Sequence, residues 1–388
     1  MKTLKSQKLH IGFFGRTNVG KSSLLNKITG QNTAIVSDIA GTTTDIVEKS
    51  MELLPVGSVN FLDTAGINDI SELGSKRIEK TLNAIERTDV AVLVCDYEGI
   101  KEYEKFLIEK FKELQIPYII IVNKTDISKP ELTEKAIYTS ALNDDELIFK
   151  FKTELVKILP DEFVNTPSIT GDLVKEGSTV ILVIPIDKEA PKGRIILPQV
   201  QTLRDLLDNG CQVLSVRDSE LQQALESFKQ PPALVITDSQ AFKKVDKIVP
   251  SDIALTSFSI LFARLKGDLD AFIMGAKAID TLEDGDKVLI LESCTHHAIE
   301  DDIGRVKIPN LLRKKTGKNL IIENISGHDF PDVSAYKLII HCGACMTNRR
   351  EVLSRIIKAN KANVPITNYG IAISYCLGIL ERATKIFY

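Results

Sequence analysis

Short apolar runs recur along the chain, each followed by a longer segment with helical spacing. In the first 160 residues Lys8–Phe14 (KLHIGFF), Val59–Leu62, Val90–Cys95 (VAVLVC) and Pro117–Val122 read as buried strands, and Ser22–Thr29 and Lys150–Leu159 read as helices, the second stopped by Pro160. Residues 161–176 (DEFVNTPSITGDLVKE) are polar, contain Pro167 and Gly171, and read as a linker. The pattern then alternates. Thr179–Ile186, Cys211–Val216 and Ala233–Thr237 have strand character. Between them, Leu197–Asp208 carries apolar residues at Val200, Leu203, Leu206 and Leu207, with Pro198 placed for a helix start, and Ser219–Phe228 is a second helix. A β-α-β-α-β order argues for a small parallel sheet. Three strands over roughly 80 residues make a thin core with open edges, which pairing between two copies would cover. A last set of strands, Lys287–Glu292, Asn319–Ile325 and Lys337–Ile340, precedes a helix over Thr347–Ala359. The expected divisions are 1–163, 172–262 and 263–388, all of α/β class.

Composition narrows the functional classes. The 388 residues include 49 Lys and Arg against 52 Asp and Glu, a net charge of -3, so no overall basic footprint for nucleic acid exists. Charged residues are 26% and hydrophobic residues 44%, a balance that fits a folded globular protein and argues against disorder. The longest uncharged stretch, Ala362–Leu380, is 19 residues long but is broken by Asn363, Pro365, Asn368, Gly370 and Gly378, which argues against a membrane span. Ile11–Phe14 is too short for the apolar part of a secretory leader, and Arg16 follows it. The expectation is a cytoplasmic protein with neither a membrane nor a nucleic-acid partner. Six Cys are too few for a disulfide scaffold, and clustered Cys in that setting point to metal or catalysis.

The first strand runs into Gly15-Arg16-Thr17-Asn18-Val19-Gly20-Lys21-Ser22-Ser23, which fits G-x-x-x-x-G-K-[ST]. Glycines let backbone N–H groups curl around phosphate oxygens, and the following helix adds its positive end. Lys21 then reaches the β- and γ-phosphates and Ser22 binds Mg²⁺. Asp63-Thr64-Ala65-Gly66 follows the Val59–Leu62 strand; Asp63 can hold Mg²⁺ through water, and Gly66 lets a backbone N–H approach the γ-phosphate. Asn123-Lys124-Thr125-Asp126 ends another strand, and Asp126 can accept from N1–H and the 2-amino group of guanine, which adenine does not offer there. Thr139-Ser140-Ala141 supplies backbone to the guanine oxygen. Gly41-Thr42-Thr43-Thr44-Asp45 lies between the first two motifs, where a Thr can close on Mg²⁺ as a switch loop. The nucleotide is therefore GTP.

Five motifs in this order, over about residues 8–160, resemble the translation-factor class of small GTPases, especially those of tRNA modification and ribosome assembly. By that resemblance Thr43 is the magnesium-binding threonine. The position after Asp-x-x-Gly, a water-orienting Gln in Ras-like proteins, is Ile67 here. Similar GTPases with an apolar residue there use a monovalent cation held by an Asn of the phosphate loop, and Asn18 fits that place, which implies potassium stimulation. Glu72 is a candidate for positioning water, with an exposed switch-loop Glu as the plainer reading.

Near the C-terminus, two strand ends deliver Ser293-Cys294-Thr295-His296-His297 and His341-Cys342-Gly343-Ala344-Cys345. Ligand crevices of open α/β sheets lie at the carboxyl ends of strands. Cys342 and Cys345 have the spacing that puts two thiolates on one metal or cluster, and the helix beyond favours their charge. Zinc accepts three Cys and a His, and an iron–sulfur cluster can carry a non-Cys ligand, so both metals stay open on chemistry alone. Cys95, Cys211 and Cys376 read as core thiols.

The pattern C-x-H-x₄₄-H-C-x-x-C behind a GTPase domain resembles the [FeFe]-hydrogenase maturation GTPases, the scaffold family called HydF, and so do Leu73-Gly74 and Arg77. With the linker and middle region, this resemblance covers the whole chain. It implies a [4Fe–4S] cluster on Cys294, Cys342 and Cys345, with His296 and His341 as candidate ligands. It also implies a dimerising middle domain, a homodimer or higher assembly, and carriage of a di-iron precursor to apo-[FeFe]-hydrogenase. Two radical-SAM maturases are implied as partners. The competing readings are a GTPase of ribosome or tRNA maturation, and a GTPase with a structural zinc domain.

Overall fold

A computed structural model describes residues 8–30, 47–64, 72–140, 144, 146–160, 163, 167–186, 195–293, 302–327, 330–344 and 347–388. The chain forms two compact units, Met1–Thr166 and Pro167–Tyr388.

In the first unit the order is β1 (Leu9–Phe14), α1 (Lys21–Thr29), β2 (Val47–Leu53), β3 (Gly57–Asp63), α2 (Glu72–Glu86), β4 (Val90–Cys95), α3 (Glu102–Glu113), β5 (Tyr118–Val122), β6 (Ala136–Tyr138) and α4 (Leu147–Ile158). The sheet runs β2-β3-β1-β4-β5-β6. All its pairs are parallel except β2 with β3. Every residue of β1 and β4 is buried, because helices cover both faces, and that is why these strands are continuous apolar runs. Phe13, Phe61 and Phe151 fill one face, and Phe14, Leu93 and Phe111 fill the other. The polar edge strand β2 has no such run, and its pairing with β3 alone makes it a strand.

The second unit contains β7 (Thr179–Val183), α5 (Leu197–Asp208), β8 (Gln212–Val216), α6 (Leu221–Ser227), β9 (Leu234–Thr237), α7 (Phe242–Ile248), β10 (Ala254–Ser257) and α8 (Phe258–Lys266). It continues with α9 (Leu269–Lys277), β11 (Lys287–Glu292), α10 (Ile308–Thr316), β12 (Ile321–Ser326), β13 (Leu338–His341), α11 (Arg349–Lys361), β14 (Ile366–Asn368), α12 (Tyr369–Leu377) and α13 (Leu380–Thr384). Two parallel sheets of four strands result, β10-β9-β7-β8 and β12-β11-β13-β14.

Three features differ from the reading of the chain. Each sheet gains one short strand, β10 or β14, too brief to show periodicity. The middle sheet is not a thin core of its own: Ile181, Val235 and Leu255 share one hydrophobic cluster with Leu289, Ile339 and Ile366 of the last sheet. Gly275 of α9 lies so close to β14 that a Cβ there would come within 1.9 Å of the Ile366 carbonyl oxygen. The end of the expected linker is also fixed. The Asp205 carboxylate accepts from the backbone N–H groups of Ile169 and Thr170 and from the hydroxyls of Ser168 and Thr170, at 2.6–3.1 Å.

Candidate functional site

The phosphate loop joins β1 to α1. Gly15 and Gly20 have φ of 143° and 98°, and a Cβ on either would collide, with the Val94 carbonyl oxygen at 2.1 Å and with Asn123 Nδ2 at 2.2 Å. Gly15 thus lets the loop pack against β4, and Gly20 lets the guanine-side and phosphate-side loops touch. Asn123 Nδ2 donates to the Val19 carbonyl at 2.9 Å, and Lys124 Nζ donates to the Asn18 carbonyl at 2.7 Å. Asn18 itself adopts the left-handed conformation, φ 65°. The Thr125 N–H donates to the Thr139 carbonyl at 3.2 Å, which ties the Asn123–Asp126 loop to the Thr139–Ser140 segment. Asp126 is exposed at the rim and Ser140 is buried.

Lys21 is buried and donates to the Gly15 and Arg16 carbonyls at 2.9 and 2.8 Å, inside the loop where phosphate oxygens would lie. Burial pulls its pKa down to about 8, against the opposing pull of Asp63 and Glu104. Ser22 Oγ donates to Asp63 Oδ2 at 2.7 Å. Asp63 Oδ1 is buried without a hydrogen-bond partner among the described residues, and burial raises the Asp63 pKa. An orphaned carboxylate oxygen beside a serine hydroxyl is a donor set that fits Mg²⁺. Thr43, Gly66, Ile67, Ala141 and the Glu72 side chain lie outside the described residues; Glu72 opens α2.

Sequence reasoning missed the anchor of this loop. Arg16, one of the variable positions of the motif, donates from Nε to Glu104 at 2.8 Å, from Nη1 to Glu98 at 3.1 Å and from Nη2 to Asp96 at 3.0 Å. Glu104 is fully buried, and its other oxygen accepts from the Lys101 N–H at 3.1 Å. A Glu in the first turn of an amphipathic helix is an ordinary feature, so only the fold could reveal it as the partner of Arg16.

In the second unit, β11 and β13 are neighbours, with Leu291 opposite His341. Their carboxyl ends place Ser293 against Cys342: the Ser293 N–H lies 3.2 Å from Cys342 Sγ, and the two side chains are 3.3 Å apart. Cys342 is half-buried. The expected meeting of these two strand ends is therefore present, one residue short of Cys294. Cys294, His296 and Cys345 lie outside the described residues, and among the described residues no group of three metal-ligating side chains forms. N–H donation to Cys342 Sγ suits a thiolate ligand. His341 is buried, with Nδ1 2.8 Å from the Cys342 carbonyl and Nε2 2.7 Å from Arg355 Nη1. Burial, then the Arg355 charge, lowers its pKa to about 3, so the ring is neutral and carries its hydrogen on Nδ1. Arg355 also donates to Ser293 Oγ at 3.3 Å, Gly327 O at 3.0 Å and Glu351 at 2.9 Å.

Three family models match the chain: a 50S ribosome-binding GTPase over residues 10–124, the hydrogen maturase F dimerization domain over 169–267 and the hydrogen maturase F tetramerization domain over 270–386. The tRNA modification GTPase MnmE of Mesoplasma florum is 36% identical over 166 residues, which is 40% of this chain and 35% of that protein. GTPase Der of Clostridium botulinum (strain Okra) is 34% identical over 190 residues, 48% of this chain and 40% of the relative. The chain thus spans well under half the length of these curated relatives. Among solved structures, Aquifex aeolicus Era is 23% identical, covering 54% of this chain and 94% of that one, with a TM-score of 0.32. The G domain of the T. maritima FeoB iron transporter is 22% identical, covering 39% and 99%, also with a TM-score of 0.32. Fold and site together define a P-loop GTPase joined to a two-sheet α/β unit in which the Cys342-Gly343-Ala344-Cys345 sequence, the cysteine loop, follows β13. The chain belongs to the hydrogen maturase F (HydF) family.

Proposed function

We propose that this protein hydrolyses GTP and acts as a scaffold in [FeFe]-hydrogenase maturation. On this reading it holds a [4Fe–4S] cluster on Cys294, Cys342 and Cys345 and carries a di-iron precursor as cargo to the apo-enzyme. The observation that carries the proposal is the pairing of Ser293 with Cys342 at adjacent strand ends, within a chain whose family is a hydrogenase maturase. GTP would lie on the Gly15–Ser23 loop with Lys21 on its phosphates, Asp126 on the guanine, and Ser22, Thr43 and Asp63 around Mg²⁺. Asn18 would hold a potassium ion. Three thiolates on four irons leave one iron with an exchangeable position, which is the chemistry such a cluster would supply to a docked metal fragment. The radical-SAM maturases are the proposed source of the cargo. The domain names also support assembly into homodimers and tetramers.

Metal analysis of anaerobically purified full-length protein tests the reading. The expected result is iron with acid-labile sulfide, lost on Cys→Ser change at 294, 342 or 345, with GTP hydrolysed in preference to ATP. Stoichiometric zinc without sulfide, or co-purifying RNA, would overturn it in favour of the structural-zinc or RNA-maturation alternatives.

A further inference from the structure

Lys266 is a lysine where a surface residue would be expected. It ends α8 at the junction between the two family-model segments, yet it is 6% exposed. Its Nζ donates to the carbonyls of Ala344 at 2.7 Å and Thr347 at 2.9 Å. Those two carbonyls stand on either side of Cys345. Ala344 is buried with φ 54°, a conformation that costs an L-residue strain and persists only where neighbours hold it. The Ala344 carbonyl also accepts from the Thr347 N–H and hydroxyl, each at 3.3 Å, so Lys266 completes a knot rather than a single contact. The clasp is reciprocal. Arg349, at the start of α11, returns a hydrogen bond from Nη1 to the Leu265 carbonyl at 2.7 Å. A buried ammonium is costly unless hydrogen-bonded, and here its bonds go to the backbone flanking Cys345. Thiolates bound to a cluster carry excess negative charge, for which a nearby fixed cation is the natural complement.

We propose that Lys266 is a positioning residue for the cysteine loop. It fixes the backbone on both sides of Cys345 before a cluster is loaded, and its charge stabilises the loaded thiolates. This inference rests on the cluster reading above for its second half only. It also makes the end of the 169–267 segment a direct support of the cysteine loop.

The test uses full-length protein in three forms: wild type, Lys266→Met and Lys266→Gln. Hydrogen exchange on the cluster-free protein reads the clasp alone. Amides of the 342–349 region in Lys266→Met should exchange roughly 10–100-fold faster, the loss of hydrogen bonds from a charged donor. Iron binding after anaerobic reconstitution should weaken by about 10–100-fold, as for other outer-shell partners of metal ligands. Gln keeps donors without the charge, so Lys266→Gln should retain much of the protection while its cluster midpoint potential moves more negative. Wild-type exchange and iron affinity in Lys266→Met would overturn the positioning role. A wild-type potential in Lys266→Gln would overturn the charge role, and it decides the matter alone if the Met variant fails to fold. If the wild type takes up no iron, the cluster reading fails, while the exchange comparison still decides the clasp.

Discussion

Arg355 Nη1 lies 2.7 Å from His341 Nε2, and both side chains are almost completely buried. Since the other ring nitrogen faces the Cys342 carbonyl, His341 uses both of its nitrogens on protein partners. His341→Ala should leave most of the iron bound after reconstitution. It should lower stability by about 1–3 kcal/mol, because the Arg355 guanidinium loses a buried acceptor. Thermal melts and iron content measured on the same sample check this. Loss of iron with an unchanged melt would instead mark His341 as a ligand.

On the proposed reading guanine is selected by Asp126, whose loop is held by Asn123 and Lys124 against the phosphate loop. Because a carboxylate left unpaired by adenine discriminates strongly, GTP should be preferred over ATP by on the order of 10⁴–10⁵. Asp126→Asn should weaken GTP and favour xanthosine triphosphate, which carries an oxygen in place of the amino group. Equal turnover of ATP and GTP by the wild type would reject this role.

What could be read from the chain, and what could not, follows from whether a signal is local. The VAVLVC strand is legible because helices bury both of its faces. The motif Gly15–Ser23 is legible because its glycines answer to contacts that no side chain tolerates. In contrast, β2, β10 and β14 are strands by virtue of their neighbours' hydrogen bonds, and nothing in VEKSMEL, ALTS or ITN says so. Arg16 finds Glu104 across 88 residues and Lys266 finds Ala344 across 78. In the sequence the first is a variable loop position and the second a basic residue in the last turn of an amphipathic helix. The Cys342-x-x-Cys345 spacing is visible in the sequence, whereas the Ser293 N–H beside the Cys342 sulfur depends on the register of β11 against β13.

The Arg16 anchor predicts a defect in an otherwise intact nucleotide site. Glu104→Gln leaves a neutral amide opposite the guanidinium, while Asp96 and Glu98 still hold its other nitrogens. A stability loss of about 1–3 kcal/mol is expected from the weakened charged hydrogen bond. GTP affinity should fall with it, since Arg16 lies within the phosphate loop. Unchanged affinity in a variant with a lowered melting temperature would confine Glu104 to folding.

The three thiols outside the proposed cluster ligands, Cys95, Cys211 and Cys376, should be inert near neutral pH. Burial pushes Cys95 up to about 12 and Cys376 up to about 11, and it raises Cys211 as well. The nucleophile is the thiolate, so alkylation of these residues in the folded protein should be slow at pH 8 and should accelerate only as pH approaches those values. Peptide mapping after iodoacetamide treatment measures this directly. Cys376→Ser should likewise leave iron content unchanged; rapid modification of Cys376 at pH 8, or loss of iron on its replacement, would make it part of the metal site.

Potassium dependence is the sharpest test of the phosphate loop. Ile67 supplies no amide to orient the attacking water, and a cation at Asn18 would place positive charge where the transition state spreads negative charge. The fold already holds Asn18 in place, with a left-handed backbone and a carbonyl that accepts from Lys124. That geometry also dictates the variant. Alanine at φ 65° would add backbone strain of about 1–2 kcal/mol and confuse lost cation binding with a distorted loop. Glycine adopts this conformation freely and removes only the amide. Wild-type hydrolysis should run severalfold faster in potassium than in sodium at equal ionic strength, and Asn18→Gly should show no difference between the salts while still binding GTP. Equal wild-type rates in the two salts would remove the cation from the mechanism, and a persistent potassium effect in Asn18→Gly would move its site away from Asn18.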